Sequence, residues 1–216
     1  MHWGSMTVIS FPPIESADED GLLAVGGDLA VESLLKAYRS GIFPWPVDEH
    51  ALLWFAPPSR AIIMFDELHV SRRLVRSLRA NPFEHTIDNA FAEVTSRCAE
   101  VKNRGDQNGT WITSQVASAY CEMHRQGHCH SVESWRNGEL VGGIYGVKIG
   151  RYFAAESSFY RAPDASKAAM CHLVSWLAAQ GVTWLDCQVI TPFSSSFGAR
   201  EVLRADFMEM LRKALL

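Results

Sequence analysis

The sequence predicts an α+β protein with a small N-terminal domain, residues 1–60, and a larger mixed-sheet domain, residues 61–216. Three observations carry this. Residues 130 to 160 hold apolar, glycine-punctuated strand-like runs joined by tight turns. An amphipathic helix and one more apolar run follow that meander, the order of an α+β rather than an alternating α/β chain. A proline- and aromatic-rich stretch, Ile42 to Pro58, stands between the two parts and can make neither a long helix nor a central strand.

Composition narrows the class. With 48% hydrophobic and 20% charged residues, the 216-residue chain can bury a substantial core as an ordinary soluble globular protein. No apolar run reaches the roughly 18 residues of a spanning helix, so no membrane partner is expected. The N-terminus has neither a basic nor an apolar targeting region, and Gly4-Ser5-Met6 reads as a scar ahead of a natural start at Met6. Five scattered cysteines without a C-x-x-C pair argue against a disulfide framework or zinc knuckle and fit a cytoplasmic protein. A net charge of -4 excludes a wholly basic nucleic-acid binder but not a local basic patch.

In chain order, Gly26-Gly27-Asp28 is a turn whose aspartate is expected to N-cap a helix over 30–39, closed by Gly41. A phosphate loop is the competing reading, but no Lys-Ser/Thr follows the glycines. The aromatics of 42–58 either pack the N-terminal part onto the rest or form a wall on which a flat ring stacks. Ala61 to Phe65 is a short strand entering the main domain. Arg72, Arg73, Arg76 and Arg79 lie in a segment without acids; on a helix Arg72, Arg76 and Arg79 share one face, opposite Leu74 and Leu78. A solvated face and a phosphate-contact row both remain open. Asp88 is expected to cap a helix through Phe91, Val94 and Cys98, followed by a polar loop, 102–109. Thr113 precedes a helix through Val116, Tyr120 and Met123 that Gly127 ends. His124, His128 and His130 are close in sequence, but helix-end, loop and strand positions predict no common focus and no metal site.

Ser131 to Trp135 is a strand, Arg136-Asn137-Gly138-Glu139 a hairpin turn, and Leu140 to Val147 and Tyr152 to Phe159 the next strands. Asp164-Ala165-Ser166 opens a helix with Ala168, Ala169, Leu173, Trp176 and Leu177 inward. Thr183 to Ile190 is a further buried strand, followed by a serine-rich loop and a last amphipathic helix. This order is also that of the acyl-CoA N-acetyltransferase-like (GNAT-like) fold, in which donor and amine meet between two splayed central strands. Two carboxylates stand in this apolar region, Glu156 and Asp186, and mark it for chemistry; buried carboxylates satisfied by local donors are the structural alternative.

The ordered set Gly21 to Leu29, Ala37-Tyr38, Gly41-Ile42-Phe43-Pro44-Trp45, Trp54 to Arg60, Gly109 to Thr113, Ala119-Tyr120, His124, Gly127-His128, His130 to Trp135, Leu140 to Gly146, Glu156-Ser157, Phe159, Ala165-Ser166-Lys167, Asp186-Cys187-Gln188 and Gly198-Ala199 resembles the leucyl/phenylalanyl-tRNA–protein transferase family from about Phe11 to the end. The resemblance implies an enzyme, active as a monomer, that moves leucine or phenylalanine from aminoacyl-tRNA to the α-amino group of proteins beginning with Arg or Lys, marking them for degradation. It implies no metal and no dissociable cofactor. It assigns Asp186 to hold the amine and Gln188 to orient the attacked carbonyl. Glu156 would bind the substrate's cationic end or the esterified adenosine. Ile144, Phe153 and Ser158 would wall the donor side-chain pocket, Tyr38, Trp45 and Trp111 would meet the terminal adenosine, and Arg72, Arg73, Arg76 and Arg79 would hold acceptor-stem phosphates.

Three departures cluster at that site. Ala155-Glu156-Ser157-Ser158-Phe159 stands where the family usually has Gly-Glu-Ser-Met-Phe, so a hydroxyl replaces a thioether and the donor preference is open. Pro192 to Phe197 and Asp164 also differ from the usual pattern. Two other readings compete: a non-catalytic binder of tRNA or basic N-termini that kept the fold, and an acyl-CoA N-acyltransferase. The second lacks its glycine-rich pyrophosphate loop, since Arg161-Ala162-Pro163-Asp164-Ala165-Ser166 stands there.

Overall fold

A computed structural model describes residues 10–46, 51–101, 103–104, 107–108 and 110–216. The start expected at Met6 and half of the loop expected over 102–109, including the motif residue Gly109, lie outside them. A short N-terminal layer holds β1 (Leu22–Val25), α1 (Val31–Arg39), β2 (Phe43–Pro44) and β3 (Leu53–Phe55), with the strands in the order β1-β3-β2. The prolines keep these strands to two to four residues, consistent with their inability to donate to a ladder.

The main chain then runs β4 (Ser59–Met64), α2 (Arg72–Ala80), β5 (Glu84–Ile87), α3 (Phe91–Ala99), the short pair β6 (Asn103–Arg104) and β7 (Gln107–Asn108), and α4 (Ser114–Arg125). It continues through β8 (Cys129–Arg136), β9 (Glu139–Ile149), β10 (Tyr152–Tyr160), α5 (Ala165–Ala178), β11 (Trp184–Gln188), α6 (Pro192–Ser195), β12 (Arg200–Leu203) and α7 (Arg204–Ala214). Seven of the strands form one mixed sheet in the order β12-β4-β11-β10-β9-β8-β5. The hairpin between β8 and β9 turns on Asn137 and Gly138, both at positive φ, as a two-residue loop matching the strand twist requires.

All neighbours in this sheet are antiparallel except β10 and β11, which run parallel and pair at Ala154 and Asp186 alone. Beside that single pair, each strand carries a register shift against its other neighbour: β10 between Ala155 and Ser157, and β11 between Asp186 and Gln188. Each shift inserts an extra residue, Glu156 and Cys187, and bends its strand away from the partner. The splay expected between two central strands is therefore present, opened by paired bulges.

Apolar layers cover both faces. Ile63, Ile144, Phe153 and Leu185 meet α5 through Met170, Leu173 and Leu177. On the other face Tyr145, Val147, Tyr152 and Ala154 join Leu34 and Tyr38 of α1, Val94 of α3, Tyr120 of α4 and Phe207 of α7. One apolar cluster thus contains side chains from both the N-terminal layer and the main sheet.

Several expectations change. Asp28 is not the N-cap of α1; Ala30 is, and the Asp28 carboxylate, two residues ahead of it, accepts from Ala30 N and Ser33 Oγ. Asp88 does not cap α3. It adopts φ 60° and accepts from Ser131 N, while Glu133, fully buried on β8, faces Asn89 N and Ala90 N at 3.4 Å. The strand expected over 183–190 stops at Gln188, which turns to φ 58° and leaves Val189 and Ile190 partly exposed. Strands β5 and β12 and the turn of α6 were not anticipated. Trp176 is half-buried, tilted against His130, rather than inward.

Gly142 lets α5 approach the sheet: a Cβ there would stand 2.5 Å from Ala165 Cβ and 2.8 Å from Ala165 C. Gly142→Ala is expected to destabilise the fold by about 1–3 kcal/mol through overpacking. Thermal unfolding would register this as a Tm lower by several degrees; an unchanged Tm would contradict the tight approach.

Candidate functional site

The splay is the mouth of a cavity of about 1140 Å³ whose wall runs along β10 from Ala155 to Tyr160, on to Arg161, and along the chain from Cys187 to Ser194. On the α1/α4 face it is closed by Phe43, Pro44, Trp45, Trp111, Arg97, Glu100 and Val101. On the α5 face it reaches Ile144, Ser166 and Met170. The cavity therefore crosses the sheet between the two separated strands.

Beneath its floor is a buried ion pair. Arg60, at the start of β4, is 2% exposed and Asp186 is 0% exposed. Arg60 Nε lies 3.0 and 3.1 Å from the two Asp186 oxygens and Nη2 lies 2.8 Å from Oδ2, while Nη1 donates to Gly41 O. The guanidinium also lies 4.5 Å from the Phe43 ring centre and 4.6 Å from that of Phe207. Burial works against its charge, but the Asp186 carboxylate outweighs it and holds the guanidinium protonated. Tyr152 Oη donates to Asp186 Oδ2 at 2.7 Å, and burial followed by the same carboxylate pushes that phenol well above its ordinary range. The last partner is the backbone N of Gln188, 2.8 Å from Asp186 Oδ1, which fixes the left-handed turn at Gln188.

That turn aims the Gln188 side chain at the other bulge. Its Nε2 donates to Glu156 Oε1 at 2.9 Å, beside Tyr38 Oη on the same oxygen at 2.8 Å and Tyr120 Oη on Oε2 at 3.2 Å. The two phenols are 2.5 Å apart, and both are raised well above their ordinary range, by burial first and the Glu156 charge second. Burial also lifts the Glu156 carboxyl, to about 7; Asp186 adds to this, and the two phenols oppose it. A carboxyl with that affinity takes and releases a proton near neutrality.

The expected residues fall into three groups. Glu156, Gln188, Ser158, Ile144, Trp45 and Trp111 meet on the cavity wall, with the indoles 6.2 Å apart at 36°. Asp186, Tyr38 and Phe153 are not on it. Asp186 is sealed beneath the floor with both oxygens engaged. Tyr38 is fully buried and holds Glu156 rather than facing the cavity. Phe153 is fully buried among the α5 side chains. Arg72, Arg73, Arg76 and Arg79 form an exposed row on α2, capped by Ser71, and Ser77 from the same helix bonds Asp164 at the start of α5. None of the four is in an ion pair among the described residues.

His124 and His130, expected to point to different spots, both face Asp88, at 3.7 and 2.6 Å. Among the described residues no group of three or more His, Cys, Asp or Glu is arranged to hold a metal. Sequence reasoning missed Arg60, Tyr120 and Tyr152 as parts of the site. A lone arginine opening an apolar strand was the available signal for the first; tyrosines in amphipathic patterns gave none.

Family models for the leucyl/phenylalanyl-tRNA protein transferase match residues 62–212, and for its N-terminal domain residues 27–58. The chain belongs to the leucyl/phenylalanyl-tRNA protein transferase family. A relative of that name from Syntrophobacter fumaroxidans is 51% identical over 201 residues, covering 93% of this chain and 86% of the relative. Another from Chromobacterium violaceum is 48% identical over 205 residues, covering 94% and 87%. Among solved structures FemX matches with a TM-score of 0.51 at 9% identity over 83% of this chain and 70% of that one, a likeness of fold. The fold is α+β with a mixed sheet, like that of FemX. The family is one of aminoacyltransferases. No helix among the described residues is long and apolar enough to cross a membrane.

Two measurements follow from this geometry. Arg60→Leu should destabilise the fold by about 3–5 kcal/mol, because it strands a buried carboxylate. Adding Asp186→Asn should recover part of that loss; strictly additive effects in denaturant unfolding would contradict the pair. The second concerns pH. The Glu156 carboxyl is held above its ordinary 4.5, so its contribution to stability is full below pH 4.5 and lost as pH rises through about 7. The stability of Glu156→Gln relative to the parent should therefore rise between pH 4.5 and 7 and level off above; a difference flat across that window would refute it.

Proposed function

We infer that this chain, as a cytoplasmic monomer, transfers leucine or phenylalanine from an aminoacyl-tRNA to the α-amino group of proteins whose N-terminal residue is Arg or Lys, marking them for degradation. The observation that carries the reading is the cavity through the β10–β11 splay in a chain of this family. One end offers two tilted indoles to a nucleobase, the other an apolar recess to a side chain, and Glu156 and Gln188 stand between them. Residues 1–60 and 61–216 are proposed as its two domains, a division supported by the separate family matches on either side of it.

Transfer from an ester to an amine is downhill, so the site has to place two groups and manage a proton. With Gln188 Nε2 committed to Glu156, the amide oxygen of Gln188 is left to accept from an incoming ammonium. Glu156, whose carboxyl burial lifts to about 7, can take its first proton and free the lone pair. The amine nitrogen then attacks the ester carbonyl carbon and the bond to the ribose oxygen breaks. The second nitrogen proton leaves with that oxygen as a hydroxyl, and Glu156 returns its own to solvent. Asp186 acts through Gln188, whose left-handed turn it holds, rather than by touching the amine. Trp45 and Trp111 would stack the terminal adenosine, and the arginine row of α2 would hold phosphates of the acceptor stem.

The test is transfer of labelled leucine or phenylalanine from individually charged tRNAs to a peptide beginning with Arg. Transfer is expected, reduced at least a hundredfold by Gln188→Ala or Asp186→Ala. A double charge reversal, Arg72→Glu with Arg76→Glu, should raise KM for charged tRNA while sparing KM for an aminoacyl-adenosine. No transfer of any amino acid from a bulk charged pool, with tRNA binding intact, would instead support a binder that has lost the chemistry.

A further inference from the structure

The end of the cavity under α5 differs in chemistry from a plain hydrocarbon pocket. Ile144, Ala155, Met170 and Phe193 give it an apolar wall, and Ile144 and Met170 are 2% and 1% exposed. Two hydroxyls interrupt that wall, Ser158 on β10 and Ser166 on the first turn of α5. Ser166 is 4% exposed and lines the cavity, yet neither hydroxyl has a hydrogen-bond partner among the described residues. Elsewhere on the same helix Ser175 turns back onto Cys171 O at 3.0 Å, and Ser134 beneath it bonds Ala165 O at 2.9 Å. The hydroxyls of Ser158 and Ser166 have no such internal partner, and the cavity is the space left to them. The charged residues of the cavity wall, Arg97, Glu100, Glu156 and Arg161, do not belong to this end: Glu156 bonds Tyr38 and Tyr120 on the opposite face, and Glu100 links the two arginines at the rim.

A hydrocarbon side chain entering this recess strips water from both hydroxyls and returns nothing, which disfavours it. A side chain with a planar apolar body and a polar tip meets both requirements. Its ring can lie against Ile144 and the Met170 thioether, a favourable sulfur–aromatic contact, while its tip reaches the hydroxyls. We propose that this recess accepts tyrosine as a donor side chain alongside the hydrocarbon ones, with the phenol oxygen hydrogen-bonded by Ser158 and Ser166. Ser158 and Ser166 are then specificity-determining residues, and the inference rests on the aminoacyl-transfer reading of the site. A pocket lined by hydrocarbon alone would discriminate against the added hydroxyl by about a hundredfold; this one should not.

The experiment uses 3′-O-tyrosyl-adenosine and 3′-O-phenylalanyl-adenosine as donors to one Arg-initiated peptide, so that no difference between tRNA bodies enters. The expected kcat/KM for tyrosine lies within about tenfold of that for phenylalanine, and Ser158→Ala and Ser166→Ala each lower the tyrosine-to-phenylalanine ratio about tenfold. Phenylalanine transfer with tyrosine a hundredfold or more behind, or a ratio unmoved by both substitutions, overturns the inference while the transfer reading stands. Failure of both donors with the wild-type chain removes the transfer reading and this inference with it. If the substitutions prevent folding, equilibrium binding of the two 3′-amide analogues to the wild-type chain decides. Tyrosyl amide bound as tightly as phenylalanyl amide supports the inference, and binding a hundredfold weaker overturns it.

Discussion

The Arg60–Asp186 pair anchors the site, because Tyr152 and Gln188 bond to it directly and Glu156 is reached through Gln188. Asp186 spends its oxygens on a guanidinium, a phenol and a backbone N–H, and each of these fixes a different element: β4, the start of β10, and the turn at Gln188. Arg60 extends the same network to Gly41 O and to the faces of Phe43 and Phe207. A buried ion pair gains little stability over a hydrocarbon replacement of the same size. What it supplies here is geometry, and chiefly the left-handed backbone at Gln188, a conformation that a non-glycine residue keeps only when its surroundings impose it.

The second constraint is the pair of bulges. Had β10 and β11 paired along their length, their backbone groups would satisfy one another and no cavity could cross the sheet. Inserting Glu156 on one strand and Cys187 on the other ends the pairing after one register position. The same insertion turns Glu156 towards Tyr38 and Tyr120, where burial raises its affinity for a proton and two phenol donors limit the rise. The cavity and the environment of Glu156 thus both rest on these two bulges.

Much of this was legible in the sequence because periodicity and turn chemistry are local. The meander from Cys129 to Tyr160, its Asn137-Gly138 turn and the helices of Ser114–Arg125 and Ala165–Ala178 follow from pattern. The short strands β5 and β12 did not, since four residues with polar members carry too little pattern to separate from loop. Glu133 replaced Asp88 at the start of α3 because a capping carboxylate can come from a distant strand, which local rules cannot see. At the site, Glu156, Ser158, Gln188, Trp45 and Trp111 were placed on one cavity by resemblance to a family, and the geometry brings them together. Tyr38, Phe153 and Asp186 were given to the substrate but lie behind the wall, for burial depends on what the other face of the sheet contributes. Arg60 went unnoticed for the same reason: its partner is 126 residues away.

That separation has a consequence for how the protein comes into being. Arg60 is synthesised long before β11, and until Asp186 arrives its charge has no carboxylate to enter the core with. The N-terminal layer can form its own turns, but the seat of Arg60 among Gly41, Phe43 and Phe207 is completed by a strand and a helix from the last sixth of the chain. Loop closure of this length is among the slower steps a chain of this size takes. The Arg60–Asp186 pair is therefore complete only when the last strand and helix of the fold are in place.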